Sequence, residues 1–308
     1  MTTHGRLGGP ARRIDHLPRR KAVNRMMEVL AWLAAAVAVG LLGLVVYSVV
    51  RRGWGALNLD LLTKTPVQFA LTPVKQGLAN AFVGTIVIVG IATLVALPVG
   101  ILVALYLNEF APPSVRNVVT LVLDVLNGVP AIVIGIFVYG LVILGGFDFF
   151  GLMPKHNQSG FAGAFALACL MLPLVARATM EVLSLVPNSL REASLGLGIP
   201  RWRTTLSIVL PQTVGGVVTA TVLAVARVAG ETAPLLFTSS LVGPQVSWNA
   251  HHALQSIPVA IFELSESADP ADHARAWAAA TVLMLFILLA SVTARWLALR
   301  SRARLTSR

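Results

Sequence analysis

The chain is 308 residues long, 56% hydrophobic and only 12% charged, with a mean hydropathy of +0.79. Soluble domains carry about twice that share of charge, so the composition excludes an ordinary water-soluble enzyme and predicts an integral membrane protein. The net charge of +11 is concentrated at the two ends, and the single cysteine, Cys169, excludes an intramolecular disulfide.

The first 25 residues hold Arg6, Arg12, Arg13, Arg19, Arg20, Lys21 and Arg25. A basic arm that abuts an apolar run is a topology signal rather than a nucleic-acid arm. That first run is longer than the apolar region of a signal peptide and lacks a small-x-small cleavage site, so it reads as a span. Spans need about 20 mostly apolar residues, and the hydropathy pattern predicts six, near 27–50, 79–107, 118–144, 161–186, 212–240 and 274–298. The expected fold is all-α and polytopic. A membrane domain, 27–298, lies between a basic arm, 1–26, and a basic tail, 299–308.

Six spans put both termini on one side. Placing that side in the cytoplasm puts sixteen lysines and arginines inside. Five lie outside: Arg51, Arg52, Lys64, Lys75 and Lys155. The positive-inside rule favours this orientation; Arg51 and Arg52 oppose it locally and are expected to snorkel at the outer end of the first span.

In the third span Gly128 and Pro130 should kink the helix, with Asp124 toward its cytoplasmic end. The fourth span carries Arg177, whose own helix face offers no acid apart from Glu181. The loop after it, 187–211, contains "SLREASLGLGIPRWRTTLSIVLP". Ser189 and Glu192 have capping-box spacing, which predicts a helix from Leu190; Gly198 and Pro200 should end it. A second short helix should run toward the span beyond Pro211, leaving Arg191, Arg201 and Arg203 exposed. A loop this long, structured and half apolar predicts a partner protein.

The fifth span carries "AVARVAGETAPLLF", 224–237. A charge at the bilayer centre costs about 2.5–3.5 kcal/mol on insertion scales, so Arg227 and Glu231 must face protein or water. Four residues apart, they share a helix face and can pair. Either they form a self-neutralising structural pair, or, together with Arg177, they leave a positive excess on an anion pathway. Arginine suits oxyanions because its planar fork donates two parallel hydrogen bonds and stays charged. The glutamate would weaken the site enough for release. Gly230 and Pro234 should loosen the helix beside the charges.

The loop 241–273 has Glu263, Glu266, Asp269 and Asp272 and no lysine or arginine, consistent with the outside. Its "HHALQSIPVAIFELSES" predicts a short interfacial or re-entrant segment. His251 and His252 are adjacent, poor spacing for two metal ligands on one helix face. No phosphate-binding loop, metal cluster or nucleophile motif stands out, so no cofactor is expected in this chain.

Glu192-Ala193-Ser194, then Gly198, then Ile208-Val209-Leu210-Pro211 resembles the EAA loop of ABC-importer permeases in every spacing; Ser194 in place of the second alanine is the one departure. The resemblance implies the type I importer permease (MetI-like) fold, with Arg191, Glu192, Ala193, Ser194, Gly198, Ile208, Leu210 and Pro211 in a loop that docks on an ATPase. "ARVAGETAPLLFTS", "LNGVPAIVIGIFVYG" and "LQSIPVAIFELSES" resemble, more narrowly, the A-type permeases of phosphate-specific ABC importers. That likeness runs from about 79 to 298 and implies phosphate as the cargo. It also implies a heterodimer with a related permease, two ATPase subunits that hydrolyse ATP with magnesium, an external phosphate-binding protein, and a bacterial inner membrane with both termini cytoplasmic. Nucleic acid is not an expected partner. The alternatives are a permease for another oxyanion, sulfate or molybdate, or an ion-driven secondary anion transporter.

Overall fold

A computed structural model describes residues 17–66, 76–146, 157–240 and 245–306. Arg6, Arg12, Arg13, Lys75, Lys155 and Arg308, and the first four residues of the outer loop, 241–244, lie outside the described residues. The described residues form helices and no strand: α1 (Leu17–Gly53), α2 (Leu59–Thr63), α3 (Ala79–Leu105), α4 (Pro113–Gly128), α5 (Ala131–Val138), α6 (Gly160–Ser184), α7 (Asn188–Gly196), α8 (Arg201–Thr204), α9 (Leu210–Ala229), α10 (Ala233–Thr238), α11 (Ile257–Glu266) and α12 (Pro270–Thr306). The all-α class is as expected.

Among the described residues five helices are long and apolar enough to cross a membrane: Arg20–Ala56, Ala79–Phe110, Gly160–Ser184, Arg201–Ala229 and Pro270–Thr293. The expected third span is not a continuous helix. It is α4 followed by Ala131–Leu144, bent by 97°, and the total is six only if that pair counts as one span. The fifth span also differs, because α9 stops at Ala229 and α10 is separate.

The chain divides into two units, Met1–Val49 and Val50–Arg308. The described part of the first is most of α1, and its side chains from Arg20 to Val45, Trp32 and Leu41 among them, are exposed. So apolar and so exposed a helix suits a hydrocarbon environment.

The second unit is centred on α3 against α6. Along α3, Ile88, Ala92, Ala96, Gly100 and Ala104 recur every four residues and all are buried. That period makes one ridge, and its small members let the neighbouring backbone come close. Leu167, Met171 and Val175 of α6 pack against it. At one end Leu105, Leu107, Leu123, Leu183 and Val209 form a second core. At the other, Leu61, Leu78, Ile257 and Ala278 form a third. In this unit the Arg52 guanidinium lies 4.8 Å from the ring centre of Trp277. That contact gives the local exception to the charge rule a partner within the protein.

Candidate functional site: broken helices and a coupling loop

Two helix breaks face each other. Pro130 has no N–H to continue α4 and its ring pushes the preceding residue out of the helical region. Val129 is accordingly extended (φ −69°, ψ 129°), α4 ends at Gly128, and Pro130 precedes the first residue of α5. In the second break Gly230 caps α9, Glu231 and Thr232 are non-helical, and Pro234 occupies the first turn of α10, where its missing N–H leaves no hydrogen bond unmade. Gly128, Pro130, Gly230 and Pro234 thus stand at complete breaks rather than kinks. The breaks are held together by Gly135 of α5, where an added Cβ would lie 2.6 Å from the Cα of Pro234. Between them is a small cavity of about 50 Å³, lined by Asn127, Val129 and Ala131 on one side and Arg227, Val228 and Glu231 on the other.

The charges are arranged differently from the expectation. Because the helix stops at Ala229, Glu231 leaves the register that would set it beside Arg227. Its N–H instead bonds to Val228 O at 3.1 Å. Arg227 is exposed, Glu231 half-buried, and among the described residues they form no ion pair. The expected positive excess also needs correction. Arg177 Nε of α6 lies 2.9 Å from Asp124 Oδ1 of α4, so the acid that answers Arg177 comes from another helix, not from Glu181. The charges at the breaks therefore balance. What distinguishes the site is that Arg227 and Glu231 line one cavity without pairing.

In the loop, α7 begins at Asn188, two residues before the expected start, after Pro187, and no side chain caps it; the Ser189–Glu192 capping box does not form. Gly198 has φ +78°, the left-handed conformation its turn requires. Ser194 is buried and its Oγ lies 2.8 Å from Thr204 Oγ1, which ties α7 to α8. Thr205–Val209 continue as a wide, π-helical turn, so α8 runs unbroken into α9 with Pro211 in its first turn. Glu192, Ala193 and Pro211 are exposed, Ile208 and Leu210 half-buried. Exposed apolar side chains cluster here, with Leu197 at 81% and Trp202 at 59%. Arg191 is not exposed as expected. Its Nη2 donates to Glu109 Oε1 (2.8 Å) and Leu183 O (3.0 Å), its Nη1 to Val186 O (2.6 Å), and its Nε to Glu109 Oε2 (3.1 Å).

Residues 96–303 match the family model "Binding-protein-dependent transport system inner membrane component". The chain belongs to that family. It is 38% identical to the phosphate transport system permease protein PstA of Pasteurella multocida, over 91% of this chain and 96% of that one. It is 37% identical to PstA 1 of Mycobacterium tuberculosis (strain H37Rv), over 92% of this chain and 91% of that one. Among solved structures, a chain of the bacterial alginate ABC transporter, in complex with an alginate pentasaccharide-bound periplasmic protein, aligns at a TM-score of 0.57. It is 16% identical, over 91% of this chain and 94% of that one. A chain of the inward-facing MetNI methionine ABC transporter aligns at 0.54, with 15% identity, over 72% and 93%. These two likenesses speak to the fold.

As a member of this family the chain is a permease of an ABC importer, which works with an ATPase and a substrate-binding protein. Several residues that shape it escape a reading by pattern. The expected interfacial segment is α11, whose first four residues are buried. Gln255, just before α11, bridges it to α3: Asn80 Nδ2 donates to Gln255 Oε1 (2.9 Å), and Gln255 Nε2 donates to Glu263 Oε2 (2.6 Å). Burial raises the Glu263 carboxyl pKa above its ordinary value, and the charge of Asp272 adds to this against the Gln255 hydrogen bond. Glu109 had a local signal, an acid in "YLNEFAPP" directly after a span. Its partner, Arg191 of the loop, lies 82 positions away, and no local pattern links the two.

Proposed function

We propose that this chain is the membrane-spanning permease subunit of an ATP-binding-cassette importer that moves inorganic phosphate across the inner membrane. The observation that carries the reading is the likeness to PstA permeases over nine-tenths of both chains. The two breaks supply a wall chemically suited to the cargo. α5 starts at the cavity, which Ala131 lines, so the positive end of its dipole lies beside the space that Arg227 lines. Arg227 offers a fork for two phosphate oxygens. Glu231 opposes retention, as a site that must release its anion requires.

The partners follow the same reading. A second, related permease forms a heterodimer with this chain, two ATPase copies bind and hydrolyse ATP with magnesium, and an external phosphate-binding protein delivers the anion. Both termini lie in the cytoplasm. The exposed face of α7 and α8, with Glu192 and Ala193 on it, docks on an ATPase, and the Arg191 bonds to Glu109, Leu183 and Val186 carry its movement to the ends of α3 and α6. Co-purification from detergent, followed by ATP hydrolysis with added binding protein and one anion at a time, tests this. An ATPase and a second permease should come with the chain, and phosphate should stimulate hydrolysis. Stimulation by sulfate or molybdate alone would establish another cargo, and uptake that needs no ATPase would defeat the reading.

A further inference from the structure

A second polar cavity, of about 410 Å³, opens at the coupling-loop end, between the end of α3, the first turn of α4, the end of α6, and α7 with α8. Arg116, Arg191 and Arg201 line it, with Asn108, Ser184 and Thr204. Its acid is Glu109, and Arg191 already engages both oxygens of that carboxylate. Arg116 and Arg201 form no ion pair among the described residues. The cavity is therefore lined by two exposed arginines that have no acid partner among the described residues, in a volume that fits a small ligand. It is also joined to the breaks by one face of α4. Arg116, Thr120, Asp124 and Asn127 recur at helical spacing on it, Asn127 lines the Arg227 cavity, and the Thr120 hydroxyl is buried with no hydrogen-bond partner among the described residues. At 1.5 Å per residue, about 16 Å of helix separates Arg116 from Asn127.

We propose that the Arg116–Arg201 cavity is a second binding site for a phosphate-type oxyanion, at the opposite end of α4 from Arg227. Two guanidinium forks lining one cavity select a tetrahedral oxyanion over a simple halide. The same chemistry belongs to free inorganic phosphate and to the headgroup of an anionic phospholipid. The inference rests on the transport reading only for phosphate reaching this end of the chain as cargo.

The test uses the whole complex in nanodiscs of phosphatidylcholine, with Cys169→Ser and Ser184→Cys in this chain. Alkylation of the new cysteine by neutral iodoacetamide is followed by mass. Inorganic phosphate should slow it several-fold relative to chloride at equal ionic strength. The protection should vanish in Arg116→Gln/Arg201→Gln and persist in Arg227→Gln, which separates this cavity from the breaks. If nanodiscs containing phosphatidylglycerol give the protection without added phosphate, the headgroup is the occupant. Should the Gln pair fail to assemble, Arg116→Lys/Arg201→Lys keeps the charge, loses the fork, and should weaken the protection. Four results would overturn the site: no protection by phosphate or phosphatidylglycerol, protection unchanged in the Gln pair, protection unchanged in the Lys pair, or protection in either lipid that vanishes when the ATPase is removed. Protection in a complex that transports some other anion would support the site while removing the phosphate-transport reading.

Discussion

Arg191 of α7 and Glu109, just beyond α3, form a two-pronged ion pair 82 positions apart in sequence, with the side chains only 17% and 9% exposed. The same guanidinium reaches the carbonyls of Leu183 and Val186 at the end of α6. One side chain thus ties the loop to two helices of the central core.

Breaking one partner of so enclosed a pair leaves an uncompensated charge, at a cost of order 3 kcal/mol. Glu109→Gln, which leaves the guanidinium unpaired, should therefore lower the melting temperature of the detergent-purified chain, and Arg191→Lys, which keeps the charge but loses the fork and its bonds to the carbonyls, should lower it less. Both should also reduce phosphate uptake more than they reduce insertion. A melting temperature unchanged in both would mean that the loop is held by other contacts.

Glu192 is exposed and caps nothing, so Glu192→Lys should leave the melting temperature of the isolated chain unchanged. It should abolish uptake, because it reverses charge on the face proposed to meet the ATPase. Normal uptake and full ATPase association would remove Glu192 from that interface.

Ser194→Ala restores the alanine of the EAA pattern. Here it should cost about 1 kcal/mol, the value of one buried hydrogen bond, because it deletes the bond to Thr204. Uptake should persist. A variant as stable as the parent would show that the bond contributes nothing.

Glu263 predicts a pH dependence. Its carboxyl holds its proton more tightly in the folded chain than in the unfolded one, so the folded state binds more protons between the two pKa values. Stability is then highest below the ordinary carboxylate range and declines as pH rises through the raised value. Glu263→Gln keeps an oxygen to accept from Gln255 and removes the half-buried charge. It should raise the melting temperature at neutral pH and flatten its pH profile. An unchanged profile would contradict the assignment.

Much of this was legible in the sequence, for identifiable reasons. Glycine and proline punctuate helices wherever they occur, so Gly128, Pro130, Gly230 and Pro234 marked the two breaks, and Gly198 marked the turn of the loop. Their severity was not legible. Whether a proline kinks or ends a helix depends on what the freed segment packs against, and here that is α5 on α10 through Gly135. Charge pairing was the least legible. Arg227 and Glu231 look like partners at helical spacing, and a helix end separates them. Arg177, Asp124, Arg191 and Glu109 are partnered across helices, where spacing along the chain carries no information. The start of α7 was misplaced for a different reason: a second local signal, Pro187, stands at the position before the helix, and the capping box does not form.

Arg227 and Glu231 are proposed to act on a passing anion rather than on each other. Radiolabelled phosphate uptake into vesicles containing the reconstituted complex, measured beside complex yield for Arg227→Gln, Glu231→Gln and the double variant, tests it most directly. Arg227→Gln should assemble and fail to transport, and Glu231→Gln should retain binding but release slowly. The double variant should assemble without transporting. Recovery of uptake in the double variant would show a self-neutralising structural pair and contradict the account.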